Sequence, residues 1–216
     1  MRPRSLGQGF VLSWHKSVAR HDSGTARAGR AEANHFFYPF AITMLDRMKA
    51  GTTIRRVGEG NIDDLLRLIE ALARFERLAP PEAEAKQRLR AHALAERPAF
   101  KAFVAYLDGK PVGYITYYFT YSTFLAKPTL FLEDIFVLEE GRRKGVGRAL
   151  FRFCAEEAVE RGCGRMEWSV LTWNEGAIRF YESMGGRRLD WYLYRLDENG
   201  MRQALEDEAS VGRSIS

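Results

Sequence analysis

The stretch Leu130–Gly147, LFLEDIFVLEEGRRKGVG, decides the fold, because it runs an apolar strand into a basic turn spaced by glycines. Leu130–Leu138 has strand composition. Beyond the turn, Val146, Ala149, Leu150, Phe153, Cys154 and Ala158 recur at helical spacing, so a helix runs to about Arg161. The turn Arg142-Arg143-Lys144-Gly145-Val146-Gly147 therefore joins a strand to a helix N-terminus. Glycines there let backbone N–H groups approach an anion, the helix dipole adds partial positive charge, and three basic side chains surround the site. Those are the parts of a pyrophosphate cradle. The plainer alternative is a tight basic turn whose glycines serve backbone geometry alone. A Rossmann loop would need another glycine spacing and a following acid, and a Walker loop would need Gly-Lys-Ser/Thr. Neither is present.

Within the strand, Glu133 and Asp134 are adjacent acids. In a regular strand they point to opposite faces, so at least one must face a wet cleft.

Working outward, Thr53–Arg56 reads as a short strand. Ile62, Leu65, Leu66, Ile69, Leu72 and Ala73 give the stripe of an amphipathic helix, with Asn61 as its N-cap. Glu76, seven residues after Ile69, falls on the apolar face of that helix, where a leucine would be expected. A second helix follows Pro80-Pro81 and runs to about Ala95. Ala102–Leu107 and Val112–Tyr121 are strands joined by the turn Asp108-Gly109-Lys110. Past the central helix come a strand at Arg165–Val170, a helix at Glu175–Ser183 and a last strand region at Arg187–Leu196. The order β-α-α-β-β-β-α-β-α-β implies an α/β (α+β) chain with a mixed sheet, antiparallel at first and flanked by helices. After Asp197 the sequence reads as a polar, frayed tail.

The chain has 216 residues, 46% hydrophobic and 12% aromatic, enough for a real core and against wholesale disorder. No apolar run is long enough for a membrane span. Residues 1–50 hold eight Lys/Arg against three Asp/Glu, which accounts for the whole formal charge of +5. The remainder is neutral, so a nucleic-acid reading loses its electrostatic support. That first segment lacks periodicity. It reads as a basic, disordered extension, or as upstream sequence translated ahead of a start at Met44 or Met48, with targeting or partner binding as the alternatives. A globular domain then occupies residues 51–200, and residues 201–216 form the tail. Two cysteines and four scattered histidines build neither a metal site nor a disulfide framework. Cys154 reads as core and Cys163 as a loop residue without an activating histidine. The compartment expected is the reducing cytoplasm.

Arg142–Gly147 resembles the Arg/Gln-x-x-Gly-x-Gly/Ala signature of the GNAT superfamily of N-acetyltransferases, in its place between that family's fourth strand and third helix. The segments RLIEALARFE, GYITYYFTYSTF, FLEDIFV, GRRKGVG and WNEGAIRFYESMGG extend the likeness to the diamine (spermidine/spermine) acetyltransferase branch, from about Thr53 to Leu196. The first fifty residues lie outside it. The resemblance implies a GNAT-like fold with a splayed central strand, acetyl-CoA as co-substrate without a metal, direct transfer to a small amine, and a homodimer with sites near its interface.

By resemblance, the backbone of Ile135, Phe136 and Val137 pairs with the pantetheine arm. Residues Arg142, Arg143, Lys144, Gly145, Val146, Gly147 and Arg148 hold the pyrophosphate. Asn174 contacts CoA, although a helix N-cap explains it equally. Tyr181 is the general acid for the departing thiolate, against the alternative that it packs in a stripe with Ala177, Phe180 and Met184. The amine, protonated at neutral pH with a reference pKa near ~10.4, must lose a proton before attack. Glu133 matches the family position for binding it and accepting that proton, with Asp134 beside it; a structural salt bridge is the plainer reading. Phe75 and Glu76 match substrate-binding positions. Polyamine-selective members carry an acid and a tryptophan where this chain has Ser122 and Phe124, which leans the reading towards lysine-like amino acids such as thialysine. Acetylation of a protein amine, or a non-catalytic acetyl-CoA-binding module, are the rival functions.

Overall fold

The computed structural model describes residues 47–49 and 51–211, with side chains from residue 51 to 205. The expectation of a disordered extension therefore lies outside the described residues, save that Arg47–Lys49 forms a strand, β1. Strand β2 (Thr52–Arg56) is followed by α1 (Ile62–Phe75), α2 (Ala83–Leu94), β3 (Lys101–Leu107), β4 (Lys110–Ser122) and β5 (Lys127–Val137). After a short 3-10 turn come α3 (Val146–Glu160), β6 (Arg165–Trp168), α4 (Glu175–Ser183) and α5 (Glu198–Val211). The family's fourth strand is thus β5 here.

The six strands lie in chain order in one sheet. Every neighbouring pair is antiparallel except β5 and β6, which run parallel and are joined by the α3 crossover. This is the mixed, mostly antiparallel sheet read from the sequence. Ile62, Leu65 and Leu68 of α1 pack on one face with Val104, Tyr114 and Phe136. On the other, Leu150, Phe151 and Cys154 of α3 pack with Ile115, Tyr117, Leu130 and Leu132, and Phe180, Tyr181 and Met184 of α4 lean on that cluster. A sheet clothed on both faces explains why β3 and β4 read as near-continuous apolar runs.

Three expectations change. Asn61 does not cap α1 with its side chain; its Oδ1 accepts from the Gly58 N–H (2.8 Å) and its Nδ2 donates to the Arg56 carbonyl (3.1 Å), tying the turn before the helix. Residues 187–196 form no strand, bend at Asp190, and pair with no strand among the described residues. Of the stretch read as a frayed tail, Glu198–Val211 is helix α5, and residues 212–216 lie outside the described residues. Asp197 starts the helix by accepting from the Gly200 N–H (2.8 Å), and an Arg202–Glu198 ion pair one turn apart supports it. No helix among the described residues is long and apolar enough to cross a membrane.

Gly113 of β4 lies opposite Val137 of β5. A Cβ there would stand 2.7 Å from the Phe136 carbonyl oxygen, which is backbone and cannot swing away. Gly113→Ala should therefore force the two strands apart and cost roughly 1–3 kcal/mol, read as a lower denaturation midpoint at unchanged m-value. A midpoint equal to wild type would show that the strands can yield.

Candidate active site

The register of β4 against β5 slips by one residue. Thr116 lies opposite Asp134, but Tyr117 lies opposite Leu132, so Glu133 is the extra residue of a β-bulge. Before the bulge, Leu130 and Leu132 face α3; beyond it, Asp134 shares its face with Thr116, and Phe136 packs with Tyr114 under α1. The simple alternation assumed for the two acids is thereby broken, and Glu133 and Asp134 line the same cavity. On its other side β5 pairs with β6 only from Thr129 to Leu132. From Glu133 onward the two parallel strands diverge in pairing, which is the splay implied by the resemblance.

The cavity, about 940 Å³, opens along this half of β5. Its acidic part is made by Glu133, Asp134 and Glu76, the last at the C-cap of α1. Burial raises the Asp134 carboxyl above its ordinary range, with the Glu133 charge adding to the effect, although a 3.1 Å hydrogen bond from the Thr116 hydroxyl opposes it. Burial, then the Asp134 charge, raises Glu76 in the same direction. The Tyr114 hydroxyl is buried beside Asp134, and burial, then the Asp134 charge, holds it well above its usual pKa. Carboxyls held above their usual range, facing a cleft, mark a place prepared for a cation.

At the other end of the diverging half-strand, roughly 13 Å along β5, lies the turn into α3. Gly145 has φ +83, a conformation only glycine adopts without strain. No side chain caps the helix, and its first intrahelical bond at this end runs from the Ala149 N–H to the Gly145 carbonyl (2.9 Å). The N–H groups of Val146, Gly147 and Arg148 are left for an outside acceptor. Gly145, Gly147, Arg143, Arg148 and Arg142 line the cavity; Lys144 and Val146 do not. Val146 is instead buried in the core. Open space over Gly145, with cations around it, fits a pyrophosphate group.

Tyr181 of α4 lines the same cavity, packed against Trp168 (ring centroids 5.1 Å apart) and Phe151 (6.1 Å). Burial, then the Asp134 charge, pushes its phenol up to about 12. The packing reading holds, and the residue also faces the cavity. Asn174 lines the cavity and also caps α4, accepting from the Ala177 N–H (3.1 Å). Ile135, Phe136, Val137 and Phe75 also line it.

Ser122 and Phe124 are not brought to the cavity. Ser122 is buried at the end of β4, its Oγ accepting from the Leu125 N–H (3.3 Å) within the hairpin, and Phe124 is exposed beside it. Sequence reasoning missed an aromatic clasp: Phe75 sits against Phe136 and Trp173 (6.1 and 5.8 Å), and the Arg142 guanidinium lies 5.2 Å over its ring while Nε donates to the Val137 carbonyl (3.0 Å). It also missed Leu193 and Arg195, which line the cavity from the segment between α4 and α5.

The model of the acetyltransferase (GNAT) family matches residues 65–186, more than half of the chain. The chain belongs to this family. It is 35% identical over 166 residues to the thialysine N-epsilon-acetyltransferase of Sus scrofa, covering 71% of this chain and 97% of that protein. It is 29% identical over 167 residues to the human spermidine/spermine N(1)-acetyltransferase-like protein 1, covering 72% of this chain and 23% of that one. These relatives place it in the diamine acetyltransferase-like branch of the family. Among solved structures, an integron cassette protein from the mobile metagenome of V. cholerae superimposes with a TM-score of 0.61 at 25% identity, over 72% of this chain and 98% of that one.

Gly147 offers a clean test of the cradle. A Cβ there meets only Val137 and Phe180 atoms at 3.8–3.9 Å, an ordinary contact, and the residue is helical. Gly147→Ala should leave stability equal or raise it by up to about 1 kcal/mol, while acetyl-CoA affinity falls at least tenfold as the methyl group blocks close approach to the backbone. Calorimetric titration beside a thermal melt reads both. Undiminished affinity would remove the cradle from this turn. Gly145 is unsuited to the purpose, because its positive φ would mix strain with the loss of ligand.

Proposed function

We propose that this acetyl-CoA-dependent N-acetyltransferase acts on the side-chain amine of a lysine-like amino acid, by direct transfer at the cavity beside β5. The observation that carries the reading is the placing of three carboxyls, Glu76, Glu133 and Asp134, and a proton-bearing phenol, Tyr181, in one cavity with a cationic helix N-terminus. The cationic turn would hold the pyrophosphate of acetyl-CoA, which supplies an acetyl thioester. The edge of Ile135–Val137, free of β6, suits an amide-bearing arm laid alongside it.

The carboxyls bind the incoming ammonium, and Glu133 accepts the proton it must shed, directly or through water. A second proton leaves the nitrogen as the amide forms, and one proton is needed by the departing thiolate, so the net reaction releases a single proton. Tyr181 holds its proton throughout the physiological range, and its O–H can support that thiolate. Since its pKa stands above the ~8.5 of a thiol, the phenol acts best as a hydrogen-bond donor whose proton shifts only as the sulfur charge develops. With Ser122 folded into the hairpin, reading of the amine falls to Glu76, Glu133 and Asp134. The resemblance adds a cytoplasmic setting and a homodimer to the proposal. Three acids gathered in one cavity favour a small cationic amine.

An amine panel with acetyl-CoA, following free thiol and product mass, tests the substrate. Lysine-like amino acids are expected to exceed spermidine in kcat/KM, and Glu133→Gln to lower kcat by about 10²-fold or more while Asp134→Asn acts mainly on the amine KM. Acetylation of lysine-bearing peptides with none of the small amines would favour the protein-directed reading. Thiol release from no acceptor would favour a binding module.

Tyr181→Phe keeps volume and removes the donor, so kcat should fall about 10²–10⁴-fold with the melting temperature held. In the wild type, a phenol at about 12 imposes no loss of activity between pH 8 and 10. The raised Glu76 and Asp134 carboxyls put the acid limb above the ordinary carboxylate range, activity rising as they ionise. Full activity of Tyr181→Phe would leave the residue as packing.

A further inference from the structure

The cavity carries a cation that the glycine signature does not account for. Four arginines line it. Arg142, Arg143 and Arg148 belong to the turn before α3 and to the first turn of that helix. Arg195 comes from a different element, the segment between α4 and α5. Its side chain is exposed and enters no hydrogen bond or ion pair among the described residues. The acids that follow it in the chain are already committed. Asp197 accepts from the Gly200 N–H (2.8 Å) at the start of α5, and Glu198 pairs with Arg202 (2.6 Å). Arg142, by contrast, is held by the Val137 carbonyl and the Phe75 ring. A guanidinium on a cavity wall with no partner of its own is open to an anion from outside.

A lysine-like amino acid brings such an anion. Its side-chain ammonium suits the three carboxyls, Glu76, Glu133 and Asp134, but the same molecule ends in an α-carboxylate. Those carboxyls repel it, the more strongly as the cleft excludes water. A diamine of the same length has no such end. An acid-lined cavity by itself therefore prefers the diamine, and a preference for the amino acid needs a fixed cation. In the proposed reaction the arginines of the turn are taken by the pyrophosphate of acetyl-CoA. Arg195 is then the cation left to oppose the acids. A guanidinium matches a carboxylate through two parallel N–H···O bonds, which are directional as well as strong. Leu193, two residues earlier, lines the cavity too and offers apolar surface to a methylene chain.

We propose that Arg195 binds the α-carboxylate of the amino-acid substrate, so that the cavity reads an ammonium with its acids and a carboxylate from the segment between α4 and α5. This rests on the reading of the substrate as a lysine-like amino acid. It gives an acid-rich cavity a means of choosing an amino acid over a diamine, with Ser122 turned into its hairpin.

Three acceptors of one chain length separate the charges. They are L-lysine or thialysine, whichever is turned over faster, its amide, in which the carboxylate is made neutral, and the matching diamine without it. With the wild type, kcat/KM for the amino acid should exceed that for its amide at least tenfold. In Arg195→Gln this ratio should fall at least tenfold, mostly through the KM of the amino acid. Arg195→Glu should reverse the order of amino acid and diamine. Both substitutions change an exposed side chain, and the acetyl-CoA dissociation constant, read by calorimetric titration, should stay within twofold. A ratio that Arg195→Gln leaves unmoved, while the wild type acetylates the amino acid, would overturn the carboxylate subsite alone. So would a loss of acetyl-CoA affinity with the ratio intact, which would assign the guanidinium to the co-substrate. Acetylation of the diamine but of no amino acid would overturn the lysine-like reading, and the subsite with it.

Discussion

One extra residue in β5 organises the site. The bulge at Glu133 moves the strand out of phase, so that the half before it serves the α3 face and the half after it turns Asp134 and Phe136 to the α1 face. Two consequences follow from the same dislocation. Adjacent carboxyls that a regular pleat would separate line one cavity, and the pairing of β5 with β6 ends at Leu132, just short of the bulge. A bulge next to an active site is a device for re-aiming side chains. Here it also ends a ladder and leaves a strand edge for a ligand.

The far end of the same half-strand is held by close approach rather than by large side chains. Gly113 lets β4 come against the Phe136 carbonyl, and Gly141 sits where a Cβ would meet Val137 Cγ1 at 2.9 Å. Arg142 then locks the strand end through the Val137 carbonyl and lies over Phe75, linking the cationic turn to the aromatic wall of the cavity. The guanidinium that the signature alone assigns to pyrophosphate therefore has a structural engagement of its own. Binding at either end of the cavity bears on the same few residues.

Much of this was legible in the sequence. The strand–turn–helix at Leu130–Arg161 needed only composition and spacing, and the signature fixed the family. Glu76 stood out as an acid where the α1 stripe called for leucine, and it does line the cavity. The bulge was readable too: apolar residues on the α3 side step from Leu130 and Leu132 to Ile135 and Val137, a stride of three where a pleat allows two. An uninterrupted alternation was assumed instead. Asn61 shows the limit of cap reading, since the residue type fits a cap but its side chain is engaged by the preceding turn. The segment 187–196 shows another limit: strand propensity is local, whereas a ladder needs a partner that local sequence does not specify. Ser122 was placed by resemblance, and a short hydroxyl in a hairpin is easily taken up by the turn itself.

The acid cluster is costly to the free protein. Glu76 and Asp134 have carboxyls raised chiefly by burial, so the folded state holds their protons to higher pH than the unfolded chain does. The stability they contribute is complete below the unfolded carboxylate pKa and declines as pH rises through the folded values. At neutral pH the cluster is therefore a source of strain that apolar residues in the same places would not create. An ammonium bound among the three carboxyls reverses the sign, because it favours the ionised forms that burial opposes. The same unfavourable field raises Tyr181 and keeps its proton in place. In the proposed reaction, desolvation and like charge thus serve both halves of the chemistry, favouring a cationic amine on one side and holding a hydrogen-bond donor on the other.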